Sequence, residues 1–169
     1  MANAAEISWI VVPSPLGPLT VTAKPEAITA VDWGGRPGGG RAMPVLAEAE
    51  RQLAAYFAKK LDRFDLPLQP AGSDFQKAVW DFMLAIPMGE TRTYGEAAAA
   101  TNAPARAVGG ACGANPIPVI IPCHRILAAG GEVGGYSGMG GLATKRWLLR
   151  HEGAFVPPEQ VSLFAAGLR

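Results

Sequence analysis

One proline-interrupted run, Asn115–Arg125, constrains the fold of this chain more than any other feature. It reads Asn-Pro-Ile-Pro-Val-Ile-Ile-Pro-Cys-His-Arg, so three prolines break an otherwise apolar stretch. Each proline fixes one backbone angle and lacks an amide donor, which disfavours both a helix and a central strand. The run therefore predicts an extended, rigid segment packed against the core, with Cys123 held stiffly near its end.

The end of this run carries groups that can do chemistry. His124 and Arg125 directly follow Cys123. A free thiol is only slightly ionised at neutral pH, and an imidazole and a guanidinium within reach would favour the nucleophilic thiolate. Because neighbouring side chains diverge on an extended backbone, we expect a bridging water between Cys123 and His124. Two downstream carboxylates, Glu132 and Glu152, could orient the imidazole. Their spacing from His124 in the sequence does not indicate which of them does so.

Two other interpretations of the cysteines are weaker. An inert, buried Cys123 is the first, since free cysteine is among the most buried residue types. A zinc site built from Cys112, Cys123, His124 and His151 is the second, but no short paired spacing supports it. We therefore expect a nucleophilic Cys123, a packing role for Cys112, and neither a metal nor another cofactor.

Composition limits the partners of the whole molecule. Apolar residues make up 49% of the chain and the formal net charge is +1, so we expect a folded protein without an overall field that attracts nucleic acid or membrane. Two cysteines favour a reducing compartment. The start of the chain, Met1–Glu6, lacks the basic residues of a signal peptide, and no apolar run approaches the roughly 20 residues of a membrane helix. We expect a cytoplasmic monomer that makes no membrane contact.

The N-terminal part predicts a small antiparallel sheet with one helix. A proline-rich turn, Pro13–Pro18, separates two strand-like runs. Over Pro44–Leu61, apolar residues that include Tyr56 and Phe57 recur near the helical period, which predicts a helix that covers one face of the sheet. The predicted strands are residues 8–12, 19–23, 28–33 and 64–68.

A domain boundary is predicted near residue 72, where Gln69–Gly72 is typical of a linker. The two domains are then residues 1–72 and 73–169. Ser73 is followed three residues later by Gln76, a pair typical of a helix N-terminus, and the apolar positions up to Ile86 share one helical face.

Two short helices joined by a tight turn are predicted next. Thr93 and Glu96 form another helix-start signature, Asn102 tolerates a left-handed turn, and Pro104 precedes the second helix, which ends near Cys112. This is the layout of a helix-turn-helix, whose second helix commonly enters DNA. A close-packed helix pair without DNA binding is the alternative.

The second of these helices is made almost entirely of small residues. Ala107, Gly109 and Gly110 are too short to read base edges in a major groove, but they allow a close approach to another helix or to a nucleic acid. Residues 91–150 carry six basic and two acidic side chains, a net charge of +4 within a nearly neutral chain. Further on, Gly130–Gly141 contains seven glycines around Tyr136, which predicts either a ligand-contacting loop or a flexible lid.

Taken together, these motifs closely resemble the O6-alkylguanine-DNA alkyltransferases, also called methylated-DNA-protein-cysteine methyltransferases. The resemblance covers Ser73–Gly153 and rests on motifs in matching order. It differs from the family pattern by a two-residue insertion, Met139-Gly140. The matching segments are Phe75-Gln76, Val79-Trp80, Ile86-Pro87, Gly89, Thr93-Tyr94-Gly95, Arg106-Ala107-Val108-Gly109, Asn115-Pro116, Pro122-Cys123-His124-Arg125 and Gly135-Tyr136-Ser137-Gly138.

The resemblance implies an α+β fold, with a ribonuclease H-like N-terminal domain followed by a mostly helical, winged helix-turn-helix-like DNA-binding domain. It implies a DNA repair enzyme that flips O6-alkylguanine out of duplex DNA, bound from the minor groove. Cys123 then takes the alkyl group irreversibly, once per molecule. Glu152, rather than Glu132, orients His124, which deprotonates the thiol through a water.

The resemblance also implies roles for the surrounding residues. Asn115 braces the active-site turn, Tyr94 donates a hydrogen bond to the departing guanine and presses on the neighbouring phosphate, and Arg106 fills the space that the flipped base leaves. The remaining residues assigned to substrate or DNA are Ala107, Gly109, Gly110, Arg125, Tyr136, Ser137 and Gly138.

The sequence leaves three other functions possible. A lesion sensor would bind alkylated DNA without chemistry, but such proteins lack the nucleophile that Cys123 supplies. A thiol hydrolase built on Cys123, His124 and Glu152 would turn over repeatedly and would have no use for Arg106. A helix-turn-helix regulator would bind specific sequences with a purely structural Cys123.

Overall fold

A three-stranded antiparallel sheet and one helix form the N-terminal part of the protein. In the computed structural model, which describes residues 6–136, 138 and 140–156, the strands are β1 (Ser8–Val12), β2 (Leu19–Lys24) and β3 (Ala27–Trp33). They pair in the order β1-β2-β3, as predicted. Helix α1 (Pro44–Phe57) lays its apolar face on the sheet, because its buried residues recur at helical spacing.

Two predictions for this region are wrong in detail. The helix ends at Phe57 instead of Leu61, because the chain turns into a left-handed conformation at Lys59, with a φ of 59°. Residues 64–68 do not form a strand and make only one isolated bridge, between Ile28 and Leu68. The Ile28 amide donates to the Pro67 carbonyl and the Gln69 amide donates to the Ile28 carbonyl, but Pro67 has no amide of its own to donate, so the pairing does not extend back toward residue 64.

The second part of the protein is mostly helical. Ser73 and Gln76 form the predicted capping box at the start of the first helix. The Thr93 hydroxyl accepts from the Glu96 amide, and Asn102 adopts the left-handed turn conformation, with a φ of 52°, that separates the two short helices. The elements are α2 (Asp74–Leu84), β4 (Arg92–Thr93), α3 (Tyr94–Thr101), α4 (Ala105–Gly113), β5 (Ile126–Leu127) and α5 (Leu142–His151), with 3-10 turns at Cys123–Arg125 and Ala129–Gly131.

The proline-interrupted run is buried but is not extended. It folds back on itself, because the Ile121 amide donates to the Ile117 carbonyl at 2.8 Å and Val119 adopts a left-handed φ of 72°. A β-branched residue in this region costs on the order of 1–3 kcal/mol, so the surrounding packing must enforce the turn. The prediction of a segment that packs against the core and forms no α-helix is confirmed, and its predicted extended shape is wrong.

The two parts share one hydrophobic core. Apolar side chains of the sheet, α1, α2 and the proline-interrupted run pack in a single cluster. The Val31 amide of β3 donates to the Pro116 carbonyl at 2.9 Å, so the sheet edge binds the backbone of the run directly. The indole nitrogen of Trp80 donates to the Ala111 carbonyl at 2.9 Å and ties α2 to α4. Among the described residues, no helix has the length and apolar character needed to cross a membrane.

Candidate active site

Cys123 lies in the 3-10 turn that follows the proline-interrupted run. Its side chain is buried and has no disulfide partner. Burial raises the pKa of the thiol, and Asn115, Lys145 and Tyr136 oppose that shift. The resting thiol is therefore protonated, and a base has to remove its proton before it can act as a nucleophile.

His124 is fully buried and is held by Glu152. Its Nε2 lies 2.8 Å from Oε2 of Glu152. Burial lowers the pKa of the imidazole, although the carboxylate favours the charged form. A neutral His124 donates its Nε2 proton to the carboxylate, so Nδ1 carries the lone pair. This buried Nδ1 has no hydrogen-bond partner among the described residues, which leaves it able to accept a proton.

The Glu152 carboxylate accepts hydrogen bonds from three side chains. Besides His124, Arg125 donates Nε to Oε1 at 2.8 Å and Nη2 to Oε2 at 3.0 Å, and the Tyr56 hydroxyl donates to Oε2 at 2.7 Å. Burial disfavours the charged carboxylate, but His124 and Arg125 outweigh it and lower the pKa of Glu152 to about 2. The carboxylate is thus permanently ionised at neutral pH.

The Arg125 side chain is buried inside the protein. Its guanidinium is buried against Glu152, and its Nη1 donates to the Ile86 carbonyl. The prediction that Arg125 binds DNA is wrong, because its side chain forms a buried ion pair with Glu152. The sequence also predicted that this guanidinium would activate the Cys123 thiol. That prediction is wrong for the same reason, because the guanidinium is paired with Glu152.

Asn115 spans the turn that carries the cysteine. Its Nδ2 donates to the Ile121 carbonyl and its Oδ1 accepts from the Ile117 amide, both at 2.9 Å. Two hydrogen bonds from one side chain hold the ends of the turn together, so the backbone that leads into Cys123 has a defined path.

A cavity of about 300 Å³ opens beside the thiol. Burial raises the pKa of Tyr94, one of its walls, to about 12, so its hydroxyl stays a hydrogen-bond donor at neutral pH. The hydroxyl of Tyr136, on the opposite loop, is buried and faces the Cys123 thiol. The cavity is lined by Tyr94, Gly109, Cys112, Gly113, Cys123, Gly135 and Tyr136.

The glycine-rich loop packs against the end of the N-terminal sheet. The rings of Trp33 and Tyr136 meet edge to face, with centroids 6.5 Å apart. A Cβ at Gly138 would lie 2.4 Å from the Tyr136 ring and 2.9 Å from the Trp33 indole nitrogen, so only glycine fits there. Ser137 and Met139 lie outside the described residues.

Helix α4 carries a run of small residues, of which Gly109 lines the cavity. Ala107 and Gly109 are half-buried, Gly110 is exposed, and a Cβ on either glycine would meet no atom within 4 Å. Arg106 is exposed in the first turn of the same helix. A flat helix face beside a basic side chain allows another molecule to approach the backbone closely.

Sequence reasoning missed three residues of the site. Lys145, on α5, is buried and donates to the carbonyls of Ile126 and Gly135, and burial lowers the pKa of its amine to about 8. The sequence indicated only that Tyr56 lies on the apolar face of a helix and that Trp33 lies in a strand. Their site contacts join distant parts of the chain, so no local pattern indicates them.

Two family models together match most of the chain. The model described as 6-O-methylguanine DNA methyltransferase, ribonuclease-like domain, matches residues 7–70, and the one described as its DNA binding domain matches residues 74–154. A methylated-DNA-protein-cysteine methyltransferase of Mycobacterium tuberculosis is 41% identical over 167 residues, which cover 90% of this chain and 96% of the relative. The chain belongs to the O6-methylguanine DNA methyltransferase family.

Other relatives agree with this assignment. A Methanosarcina acetivorans methyltransferase of the same name is 42% identical over 153 residues, 83% of this chain and 95% of its own length. The crystal structure of the M. tuberculosis O6-methylguanine methyltransferase superposes with a TM-score of 0.76 at 40% identity, covering 94% of this chain and 99% of that one. A crystal structure of M. tuberculosis OGT in complex with DNA has the same TM-score at 42% identity, over 88% and 94% of the two chains.

The lowered pKa of Glu152 predicts a pH-dependent part of the stability. The folded state favours the ionised carboxylate, so this contribution is complete above about pH 4.5 and is lost as the pH falls toward 2. Glu152→Gln should remove that component, and it should also lower the free energy of unfolding at pH 7 by about 3–5 kcal/mol, because Arg125 is left buried without its counter-ion.

Urea unfolding at a series of pH values measures both effects. Glu132→Gln, which removes an exposed carboxylate, is the matched control and should keep the wild-type dependence on pH. The same loss of stability below pH 4.5 in wild type and Glu152→Gln would contradict the assignment.

Proposed function

We propose that this protein repairs DNA by moving the alkyl group of O6-alkylguanine to its own Cys123. The observation that carries the proposal is a buried thiol at a small cavity, next in sequence to a buried imidazole whose Nδ1 is available as a base. Family membership supports the reaction class, since the relatives are named methylated-DNA-protein-cysteine methyltransferases.

The first step is removal of the thiol proton. Nδ1 of His124 takes it, through a water in our proposal, while Glu152 stabilises the imidazolium that forms. The charge of Lys145 and the side chain of Asn115 both favour the resulting thiolate. Burial makes the resting thiol unreactive, so the nucleophile forms only when proton transfer is coupled to a bound substrate.

The second step is a displacement at the alkyl carbon. The thiolate forms a new sulfur–carbon bond, the carbon–O6 bond breaks, and its electron pair passes into the guanine ring. The released base then takes up one proton, which balances the proton that the thiol lost, and His124 returns to its neutral form. Tyr94 stays protonated and donates a hydrogen bond to the guanine as this negative charge develops. We propose that the loop with Tyr136 and the Ser137 amide binds O6. Because a thioether is a poor leaving group, the protein acts once.

We propose that DNA is bound through α4. In a duplex O6 faces the major groove, whereas we place α4 in the minor groove and the thiol lies buried at the cavity, so the lesion has to leave the base stack and enter the cavity, at a cost of a few kcal/mol. The open face around Gly109 and Gly110 lets the minor groove approach the helix backbone, and the exposed Arg106 occupies the space that the base leaves. Two of the six basic side chains of residues 91–150, Arg125 and Lys145, are buried, so phosphate contacts fall to the other four, which are Arg92, Arg106, Arg146 and Arg150.

The test of the reaction is an intact mass spectrum after incubation with a duplex that carries one O6-methylguanine. We expect one added methyl group per protein, located on Cys123 by peptide mapping, with a yield that never exceeds one. Cys123→Ala should bind the duplex and gain no mass, while Cys112→Ala, the other cysteine, should still be methylated. Methylation of the Cys123→Ala protein would overturn the proposal.

Arg106→Ala should separate DNA binding from chemistry. We expect repair of a paired lesion to slow by about tenfold or more, because the inserted side chain offsets part of the cost of flipping. Reaction with free O6-benzylguanine, which needs no flipping, should keep the wild-type rate. Arg150→Ala, another exposed arginine, is the control. Equal losses with both substrates would contradict the role of Arg106.

A further inference from the structure

Tyr56 is the one residue of the N-terminal part that donates directly to the proposed catalytic side chains in the described structure. It lies on α1, 96 residues before Glu152, and its hydroxyl donates to Oε2 at 2.7 Å. The same oxygen accepts from Nε2 of His124 at 2.8 Å. Any rotation of the carboxylate that breaks the bond to Tyr56 therefore also displaces the acceptor of the His124 proton.

The direction of this hydrogen bond is fixed. Burial and the nearby charge of Glu152 raise the pKa of Tyr56, so its hydroxyl is protonated at every pH at which the protein is folded. The carboxylate is ionised and can only accept. Tyr56 is thus a permanent donor, and it withdraws part of the negative charge that Oε2 offers to His124.

The ring of Tyr56 is held independently of its hydroxyl. Its centroid lies 5.0 Å from that of Phe57, 5.3 Å from that of Phe64 and 5.2 Å from that of His151. Its backbone carbonyl also lies 2.9 Å from Nε2 of His151. Removal of the hydroxyl alone should leave the ring in place, so a Tyr56→Phe protein should keep the fold.

We propose that Tyr56 is a positioning residue for alkyl transfer, whose hydroxyl holds the Glu152 carboxylate in the orientation that keeps His124 ready to accept the thiol proton. The proposal rests on the proposed role of His124 as the base. It gives the N-terminal part a function in the chemistry that the sequence did not indicate.

The surrounding charges set the expected pH effect. Arg125 faces the carboxylate, Lys145 faces His124, Tyr136 faces the thiol, and His151 packs on the Tyr56 ring. All of them are unchanged in Tyr56→Phe. Arg125 still keeps the carboxylate in contact with His124, although in a less fixed orientation, and without the Tyr56 donor Oε2 carries more negative charge and stabilises the imidazolium. The pKa of His124 therefore rises and the acid limb of the rate profile moves to higher pH.

The test compares rates of Cys123 alkylation by free O6-benzylguanine across pH, because this substrate excludes effects on DNA binding. On the plateau of the pH–rate profile, Tyr56→Phe should react about tenfold more slowly. This loss is part of the roughly 10²–10⁴-fold rate acceleration that a positioned general base supplies. Its acid limb should lie at higher pH than that of wild type. Thr29→Val, which removes a half-buried hydroxyl that donates to the Thr22 carbonyl within the N-terminal sheet, should keep the wild-type rate and profile.

A double-mutant comparison distinguishes positioning from general destabilisation. If Tyr56 acts through the carboxylate, Tyr56→Phe should cause no further loss of rate in a Glu152→Gln background. A wild-type rate and pH profile for Tyr56→Phe, or fully additive losses in the double variant, would overturn the inference. Failure of the wild-type protein to become alkylated would instead contradict the proposed function.

Discussion

A single buried carboxylate connects the parts of this protein. Glu152 follows α5 and accepts hydrogen bonds from α1, through Tyr56, and from the 3-10 turn, through His124 and Arg125. A buried carboxylate is costly unless it is fully paired, and the buried charge of Arg125 is costly without it. The site, the turn that carries Cys123 and the contact between the two parts of the chain therefore depend on one another.

The turn before Cys123 supplies the rigidity that the chemistry needs. Asn115 fastens it from inside, the Pro116 carbonyl binds the edge of β3, and Val119 adopts a strained left-handed conformation. Strain of this kind persists where the surrounding packing determines the backbone. A nucleophile held on such a turn keeps a fixed position relative to the cavity, which lowers the entropic cost of reaching the alkyl carbon.

Local signals were sufficient for much of the fold and for the centre of the site. The capping pair Ser73 and Gln76, the left-handed Asn102 and the sequence Pro122-Cys123-His124 each depend on neighbours in the chain, so they could be recognised. Tyr56, Trp33 and Lys145 could not, because their site contacts come from packing between distant elements. The resemblance assigned Arg125 to substrate or DNA, whereas the structure pairs it with Glu152, 27 residues away in the chain.

The state of His124 is the most direct test of this account. The chain contains two histidines, so the ring nitrogens of ¹⁵N-labelled protein can be assigned by comparison with His151→Asn. At neutral pH we predict a neutral ring for His124, with a protonated Nε2 and an unprotonated Nδ1 in long-range proton–nitrogen spectra. A proton on Nδ1, in either the other neutral tautomer or the imidazolium, would contradict the claim that Glu152 prepares His124 to accept the proton of Cys123.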